Sequence, residues 1–181
     1  MSTFITSDQH YNHTKILDYC TRPFTSVEEM NETLINNHNS LIKPTDTVYI
    51  LGDLGFDIKD ATQSLRSIIQ SLNGTKYLIK GNHDSHSSNN FWLDSGIKEI
   101  LSHGYELAGS VDDIEYKFVL SHKPMENRFI EDGYMGLHGH LHNSMLNFVK
   151  FNKDNHFDIG VDGNGFMPWK LEDLAEKYKG E

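Results

Sequence analysis

The stretch "YLIKGNHDSH", residues 77–86, combines two patterns that one buried element rarely shares. Residues 77–80 have the apolar or aliphatic-stemmed side chains of a buried strand, and they run directly into Gly-Asn-His-Asp at 81–84. An amide, an imidazole and a carboxylate in succession are costly in a core unless they have polar partners. The stretch therefore predicts a strand that delivers polar side chains to a site at its carboxyl end.

The same arrangement recurs along the chain. Nearly continuous apolar runs at 3–6, 47–51 and 76–80 are typical of strands that are covered on both faces. Antiparallel strands are predicted within 98–109 and 114–122, around the turn "GSVDD" (109–113). Further strands are predicted within 135–140 and 156–162.

Helical patterns separate and follow these strands. The first predicted helix begins at Ser26, with Glu29 three residues later as in a capping box. A second is predicted within 60–74, and a third within 168–178, with Pro168 near its first turn. Strand and helix alternation followed by further strands predicts a layered α/β fold, with a sheet or a pair of sheets and helices outside. At 181 residues, one domain over 1–181 is expected.

Composition limits the functional classes. The formal net charge is −10 and the chain has only three Arg, so binding to a nucleic-acid duplex is not expected. The single cysteine excludes an internal disulfide and suits a reducing compartment. We see neither a signal peptide nor a membrane span, and no obligatory protein partner is evident, so a cytoplasmic location is expected.

Residues able to bind a metal follow five of the predicted strands. The seven candidate ligands are Asp8, His10, Asp53, Asn82, His122, His140 and His142. Ligands in open α/β sheets lie outside the carboxyl ends of the strands, so these side chains can converge there. Carboxylate, imidazole and amide together suit Mn²⁺, Fe²⁺, Ni²⁺ or Zn²⁺. Seven ligands exceed the needs of one tetrahedral ion, whereas two ions that share a carboxylate would use them all.

Each motif alone has a simpler interpretation. Gly52-Asp53 is also an ordinary turn, and Asn82-His83-Asp84 could be an Asx-turn after a strand. The pair His140 and His142 is more specific, because residues i and i+2 of an extended segment face the same way. The ordered and complete set favours a metal centre.

In order, Asp8-X-His10, Gly52-Asp53, Gly81-Asn82-His83-Asp84, His122 and Gly139-His140-X-His142 resemble the calcineurin-like metallophosphoesterase superfamily. The resemblance covers residues 8–142 and implies a β-sandwich flanked by helices. It implies that one ion is held by Asp8, His10 and His142, the other by Asn82, His122 and His140, with Asp53 bridging them. It also implies that His83 acts as general acid beside the leaving group and that Asp84 orients His83.

Two metal ions can clamp both oxygens of an in-line displacement at phosphorus and supply a hydroxide nucleophile near neutral pH. Protein phosphatases of this superfamily follow their Gly-Asp with Asp-Arg, whereas Leu54 follows Asp53 here. The resemblance therefore favours a small stand-alone enzyme that uses Mn²⁺ to hydrolyse a phosphodiester, such as a small nucleotide. A nuclease, a phosphomonoesterase and a non-catalytic scaffold with the same fold remain alternatives.

Residues outside the ligand set are weaker candidates. His13 and Arg22 lie in the segment after the first strand and are expected to reach the substrate phosphate, as is Asn82. Asp162 follows the last predicted strand, where it fits either a turn or a residue that supports the site.

Overall fold

The computed structural model describes residues 1–59, 61–111, 113–125, 134–143 and 156–179, which form two mixed β-sheets flanked by helices. The strands are β1 Thr3–Thr6, β2 Thr47–Ile50, β3 Thr75–Ile79, β4 Ile97–Leu101, β5 Tyr105–Val111, β6 Ile114–Leu120, β7 Met135–His138, β8 His156–Asp158 and β9 Trp169–Lys170. The helices are α1 Ile16–Tyr19, α2 Val27–Leu41, α3 Leu65–Ser71, α4 Asn89–Asp94 and α5 Leu171–Lys179. The predicted α/β class is confirmed.

The first sheet has the strand order β4-β3-β2-β1-β9. Strands β1 to β4 are parallel, and β9 runs antiparallel to β1 at the edge. Thr3, Thr47 and Thr75 are neighbours at the start of the three central strands, so these strands run in step. The segments after β1, β2 and β3 therefore emerge along one edge of the sheet.

The second sheet has the order β5-β6-β7-β8. Strands β5 and β6 form an antiparallel hairpin, whereas β6, β7 and β8 are parallel. An isolated bridge between Ser7 and Gly160 joins the segment after β1 to the segment after β8. This bridge brings the carboxyl ends of the two sheets together.

Two apolar clusters hold the layers together. Phe4 belongs to the cluster between the first sheet and the helices, whereas its neighbour Ile5 belongs to the cluster between the two sheets. Alternate residues of a strand face opposite sides, so a strand that is buried on both faces reads as a continuous apolar run. The inter-sheet cluster includes Leu51, Ile79, Phe118, Leu120, Leu137, Leu171 and Leu174.

Helix α2 begins at the predicted residue. Ser26 Oγ accepts the Glu29 backbone N–H at 3.2 Å, which makes Ser26 the N-cap. The Glu29 carboxylate accepts the backbone N–H of Thr25 at 2.7 Å rather than that of Ser26, so the reciprocal half of the capping box is displaced by one residue.

Among the described residues, no helix has the length and apolar composition needed to cross a bilayer.

Other boundaries differ from the prediction. The segment 98–109 is not one strand: β4 pairs parallel with β3 in the first sheet, and β5 pairs with β6 in the second. Gly104, with a φ of 81°, lies in the turn between them, and glycine adopts this conformation without steric cost. The predicted turn at 109–113 includes residue 112, which lies outside the described residues; β5 extends to Val111.

The second and third predicted helices are shorter than the sequence indicates. Helix α3 begins at Leu65 with Ser64 as its N-cap, and residue 60 lies outside the described residues. Pro168 does not start a helix, because β9 comes between Pro168 and α5 and pairs with β1. The short helices α1 and α4 were not predicted.

Candidate metal centre

The predicted ligands all lie two to four residues beyond a strand end. Strand β1 is followed by Asp8 and His10, β2 by Asp53, β3 by Asn82, β6 by His122, and β7 by His140 and His142. Five of these seven residues adopt a positive φ, between 48° and 71°: Asp8, His10, Asp53, His140 and His142. Although Asp and His enter this region more readily than most residues, it still costs free energy, and such residues cluster at functional sites.

Gly52 and Gly81 allow the segments after β2 and β3 to touch. Gly52 has a φ of 95°, and a Cβ atom there would lie 2.6 Å from both the Gly81 nitrogen and His122 Nδ1. A Cβ atom on Gly81 would overlap Asp53. A side chain at position 52 would therefore displace His122, and one at position 81 would displace Asp53, which explains the glycine before each polar residue.

Asp53 lies at the centre of the cluster. Its Oδ2 atom is 3.6 Å from His10 Nε2 and 3.4 Å from His122 Nε2. Among the described residues, four sets of side chains offer atoms within 4.8 Å of one another. Two of them include a residue outside the predicted ligands: His10 with Asp53 and His83, and Cys20 with His142 and Asp162. The other two consist only of predicted ligands: Asp8 with His10 and His142, and Asp53 with His122 and His140. Such clusters of imidazoles and carboxylates could bind metal ions. The Asp53 carboxylate reaches both sets.

Hydrogen bonds orient the histidine rings. His122 Nδ1 lies 2.9 Å from the Leu51 carbonyl oxygen, so Nδ1 carries a proton and donates it. His122 Nε2 faces the Asn82 Oδ1 atom at 3.1 Å and must hold a proton or a metal ion there, because both atoms would otherwise be acceptors. His142 Nδ1 lies 2.8 Å from Asp162 Oδ2, which leaves Nε2 for the cluster. Metal-binding histidines characteristically have such partners on the second nitrogen.

Two buried atoms of the cluster make no hydrogen bond within the described part of the chain: Asp8 Oδ1 and His10 Nε2. An unpaired buried polar atom costs about 1–3 kcal/mol, and a cation next to both atoms would remove this cost. Burial raises the pKa of Asp8 to about 7 and holds the pKa of His10 well below its ordinary value. A neutral imidazole and a carboxylate oxygen without a hydrogen-bond partner both suit a metal ion.

Neighbouring side chains oppose the effect of burial on the charges of His142 and Asp53. Burial disfavours charge on His142, but the hydrogen bond to Asp162 prevails and raises the His142 pKa to about 10. Burial likewise opposes ionisation of Asp53, yet the hydrogen bond and charge of His122 hold the Asp53 pKa well below its usual range. The site thus attracts positive charge, and a bound metal would displace these protons.

Arg22 and Asp162 form an ion pair next to His142, and these contacts favour the interpretation of Asp162 as a residue that supports the site over that of a turn residue. Arg22 donates to both oxygens of Asp162 at 2.8 Å, and its remaining donors contact Met30 Sδ and the backbone oxygens of Asp8 and Gln9. All five guanidinium N–H groups therefore have protein partners. This contradicts the predicted contact of Arg22 with substrate, because no donor is left for a phosphate. Asp162 instead links buried Arg22 to His142.

Asp84 does not orient His83 as the resemblance implies. Its oxygens accept the backbone N–H groups of Leu54 at 2.9 Å and Gly81 at 2.8 Å, so Asp84 ties the segments after β2 and β3 together. The His83 backbone N–H donates to Asp53 Oδ1 at 2.9 Å. The His83 ring packs edge-on against His10 and Phe56, with ring centroids 5.2 and 5.1 Å away.

A cleft of about 810 Å³ opens beside the cluster and is lined by His10, His13, His83, His140 and His142, with Tyr19 among its other residues. His13 lines this cleft, and its Nδ1 atom is 3.1 Å from His10 Nδ1. Its predicted contact with substrate stays a prediction. Asn82 is exposed and lies in a separate pocket of about 470 Å³, with His122, Lys80 and Lys123.

Comparison with known proteins gives the family of the chain. No family model matches it. The uncharacterized protein MJ1445 of Methanocaldococcus jannaschii is 34% identical over 182 residues, which cover 97% of this chain and 92% of that protein. The gene 66 protein of Mycobacterium phage L5 is 27% identical over 184 residues, covering 91% of this chain and 88% of the phage protein.

A solved structure shows the same fold. The protein of unknown function AQ665 from Aquifex aeolicus superposes with a TM-score of 0.69 at 19% identity, over 97% of this chain and 98% of that one. The sequence similarity to the archaeal protein extends over nearly the whole length of both chains. The chain therefore belongs to the same family as MJ1445 of Methanocaldococcus jannaschii.

Proposed function

We propose that the protein is a dinuclear metal-dependent phosphodiesterase of the calcineurin-like metallophosphoesterase type, acting on a small nucleotide or similar diester. The observation that carries this proposal is the Asp53 carboxylate, whose Oδ2 atom lies 3.6 Å from His10 and 3.4 Å from His122. Asp8, His10 and His142 would hold one ion, and Asn82, His122 and His140 the other, with Mn²⁺ favoured. When bound, two such ions neutralise phosphoryl oxygens and activate water near neutral pH.

His83 is positioned to protonate the leaving group. Its ring lines the cleft with 34% of the side chain exposed, so a leaving oxygen can come within hydrogen-bond distance. The backbone bond to Asp53 and the ring contacts with His10 and Phe56 limit its movement. His83 Nε2 is 3.9 Å from Asp53 Oδ2, so the ring lies at the edge of the proposed metal centre.

The cleft favours a diester over a monoester. Among the described residues that line it, none is Lys or Arg, and Arg22 is occupied by Asp162. A monoester dianion would lack the bidentate guanidinium contact that commonly neutralises its second charge. A diester carries one charge fewer, and its second substituent needs the open space that the cleft provides.

The test is a substrate panel with metal-reconstituted protein: an aryl monoester, an aryl diester, cyclic nucleotides and short single-stranded DNA. With Mn²⁺ we expect the diesters to be hydrolysed faster than the monoester. Asp53→Asn should lose both ions in metal analysis, whereas Asp94→Asn, an exposed carboxylate at the end of α4, should retain them.

Three results would each overturn part of the proposal. Two ions retained by Asp53→Asn would refute the bridging role. Turnover of the monoester without turnover of any diester would indicate a phosphomonoesterase. Two bound ions without hydrolysis of any substrate would indicate a non-catalytic scaffold.

A further inference from the structure

Tyr19 is an exposed aromatic ring beside the metal cluster. It is 70% exposed and lines the same cleft as His13 and His83. Within the described part of the chain, the other exposed large apolar residues are Met1, Leu41, Ile58 and Leu93, and none of them lines this cleft. Single exposed apolar residues need no explanation in general, but an aromatic ring at the rim of a catalytic cleft offers a face to a ligand.

The backbone around Tyr19 is well fixed although its ring is exposed. Tyr19 N–H donates to the Lys15 carbonyl oxygen at 3.1 Å, and Ile16, at the start of this turn, is buried in the core. The segment that follows is tied back by the bond from the Arg22 N–H to the Leu17 oxygen at 2.9 Å. The ring therefore projects from a rigid support, so a ligand does not have to order it first.

His13 connects Tyr19 to the reactive end of the cleft. The Tyr19 and His13 ring centroids are 6.3 Å apart, at an interplanar angle of 77°. The His13 and His83 centroids are 5.5 Å apart, and the His13 ring also packs against Phe56 at 4.7 Å. Tyr19 thus stands two ring contacts from the proposed proton donor, on the same side of the cluster.

This placement decides which part of a diester would meet Tyr19. In the hydrolysis, the P–O bond to the leaving group breaks and water supplies the oxygen of the new P–O bond, losing one proton to solvent. The leaving oxygen takes a proton from His83, which regains one from solvent. The leaving group must then lie in the cleft that His83 lines. In a nucleotide diester, one sugar separates the leaving oxygen from the base. With the leaving oxygen at His83, the sugar would lie beside His13 and the base would reach Tyr19.

We propose that Tyr19 is the stacking platform for an aromatic ring carried by the leaving group, so that the preferred substrates are diesters with a nucleoside as leaving group. This inference rests on the proposed phosphodiesterase function and names the substrate class of that same site. Stacking of a base on an aromatic side chain is worth about 5- to 150-fold in affinity per base. Because every base has a π face, selectivity among bases is expected to be low.

The experiment compares two diesters with the same retained substituent, one with a nucleoside and one with an alkyl alcohol as leaving group. For Tyr19→Ala, we expect KM for the nucleoside diester to rise about 5- to 150-fold, with KM for the alkyl diester unchanged. Tyr19→Phe should retain wild-type values, because it keeps the ring and removes only the hydroxyl. Leu93→Ala truncates an exposed apolar residue outside the cleft and should change neither KM.

A binding measurement separates recognition from turnover. The probe is a dinucleoside phosphonate, in which CH₂ replaces the leaving oxygen, titrated by calorimetry into the Mn²⁺-loaded protein. Its Kd should weaken for Tyr19→Ala by the same factor as KM and should be restored in Tyr19→Phe. Unchanged Kd and KM in Tyr19→Ala, or equal losses on the nucleoside and alkyl diesters, would overturn the stacking proposal. Wild-type protein that binds the phosphonate through Tyr19 but hydrolyses no diester would instead refute the proposed function and leave the stacking site standing.

Discussion

Replacing Asp162 by Asn tests the part of the site that lies behind the ligands. Asp162 Oδ2 accepts from His142 Nδ1 and from Arg22 Nη2, each at 2.8 Å, and Oδ1 accepts from Arg22 Nε. Burial opposes ionisation of Asp162, but the His142 and Arg22 contacts prevail and lower its pKa to about 2. The substitution removes this charge at nearly constant side-chain size and leaves the Arg22 guanidinium without a counter-charge.

The expected magnitudes follow from these contacts. Removing one partner of a buried ion pair costs about 3–5 kcal/mol. The Asn amide oxygen keeps one acceptor, and the carbonyls of Asp8 and Gln9 still bind Arg22, so we expect about 3 kcal/mol. For a chain of this size, the Tm should fall by about 6–12 °C. Loss of a hydrogen bond that orients a metal-binding histidine weakens the metal by about 10- to 100-fold.

The assays are calorimetric unfolding of the metal-free protein and Mn²⁺ titration under equilibrium dialysis. Metal loss should be confined to the set of Asp8, His10 and His142, so that Asp162→Asn keeps one tightly bound ion per chain. Asp158→Asn is the matched control, since Asp158 accepts the backbone N–H groups of Asn143 and Gly160 and contacts neither His142 nor Arg22. Two ions bound at wild-type affinity, or equal weakening of both, would refute this account of Asp162.

Two further predictions concern single histidines. His83→Ala should keep both ions, while turnover falls by about 10²- to 10⁴-fold. The loss of turnover should be larger for nucleoside than for aryl leaving groups, because a poor leaving group depends most on receiving the proton. Loss of an ion in metal analysis would show that His83 is a ligand. Burial lowers the pKa of His38 in α2 to about 4. As the pH falls, the unfolded chain therefore binds a proton at His38 near pH 6.5, whereas the folded chain binds it only near pH 4. The contribution of neutral His38 to stability is therefore complete above pH 6.5 and is lost as the pH falls toward 4, by at most about 3 kcal/mol. The free energy of unfolding, measured in urea at equal metal content, should decrease less with falling pH in His38→Gln than in the wild type. An identical decrease in both proteins would contradict this assignment of the pH dependence to His38.

The central strands and the polar residues after them are predictable because both signals are local. A strand that is covered on both faces must be apolar throughout, and Phe4 and Ile5 show the two faces in adjacent residues. Strand pairing is not local. The segment around Gly104 reads as one antiparallel strand, yet β4 and β5 belong to different sheets, because the partner of each strand lies elsewhere in the chain.

Long-range and adjacent contacts limit prediction of the site in different ways. Arg22 and Asp162 are 140 residues apart, and nothing near either residue indicates the other. His83 and Asp84 are adjacent, which suggests a direct contact. In the structure Asp84 begins a 3₁₀ turn and points into the protein, while His83 faces the cleft. Neighbours in a tight turn diverge, so sequence adjacency is weak evidence for a hydrogen bond between side chains.

The geometry of the cluster links metal binding to folding. Five residues with positive φ hold carboxylates and imidazoles together, and each such conformation favours the unfolded chain. Asp8 Oδ1 and His10 Nε2 add the cost of buried atoms without hydrogen-bond partners among the described residues. A cation that binds only the folded chain offsets these costs in proportion to its affinity and concentration. The conformations of the loops around Asp53 therefore destabilise the cation-free protein, and a cation bound at the cluster would recover this free energy.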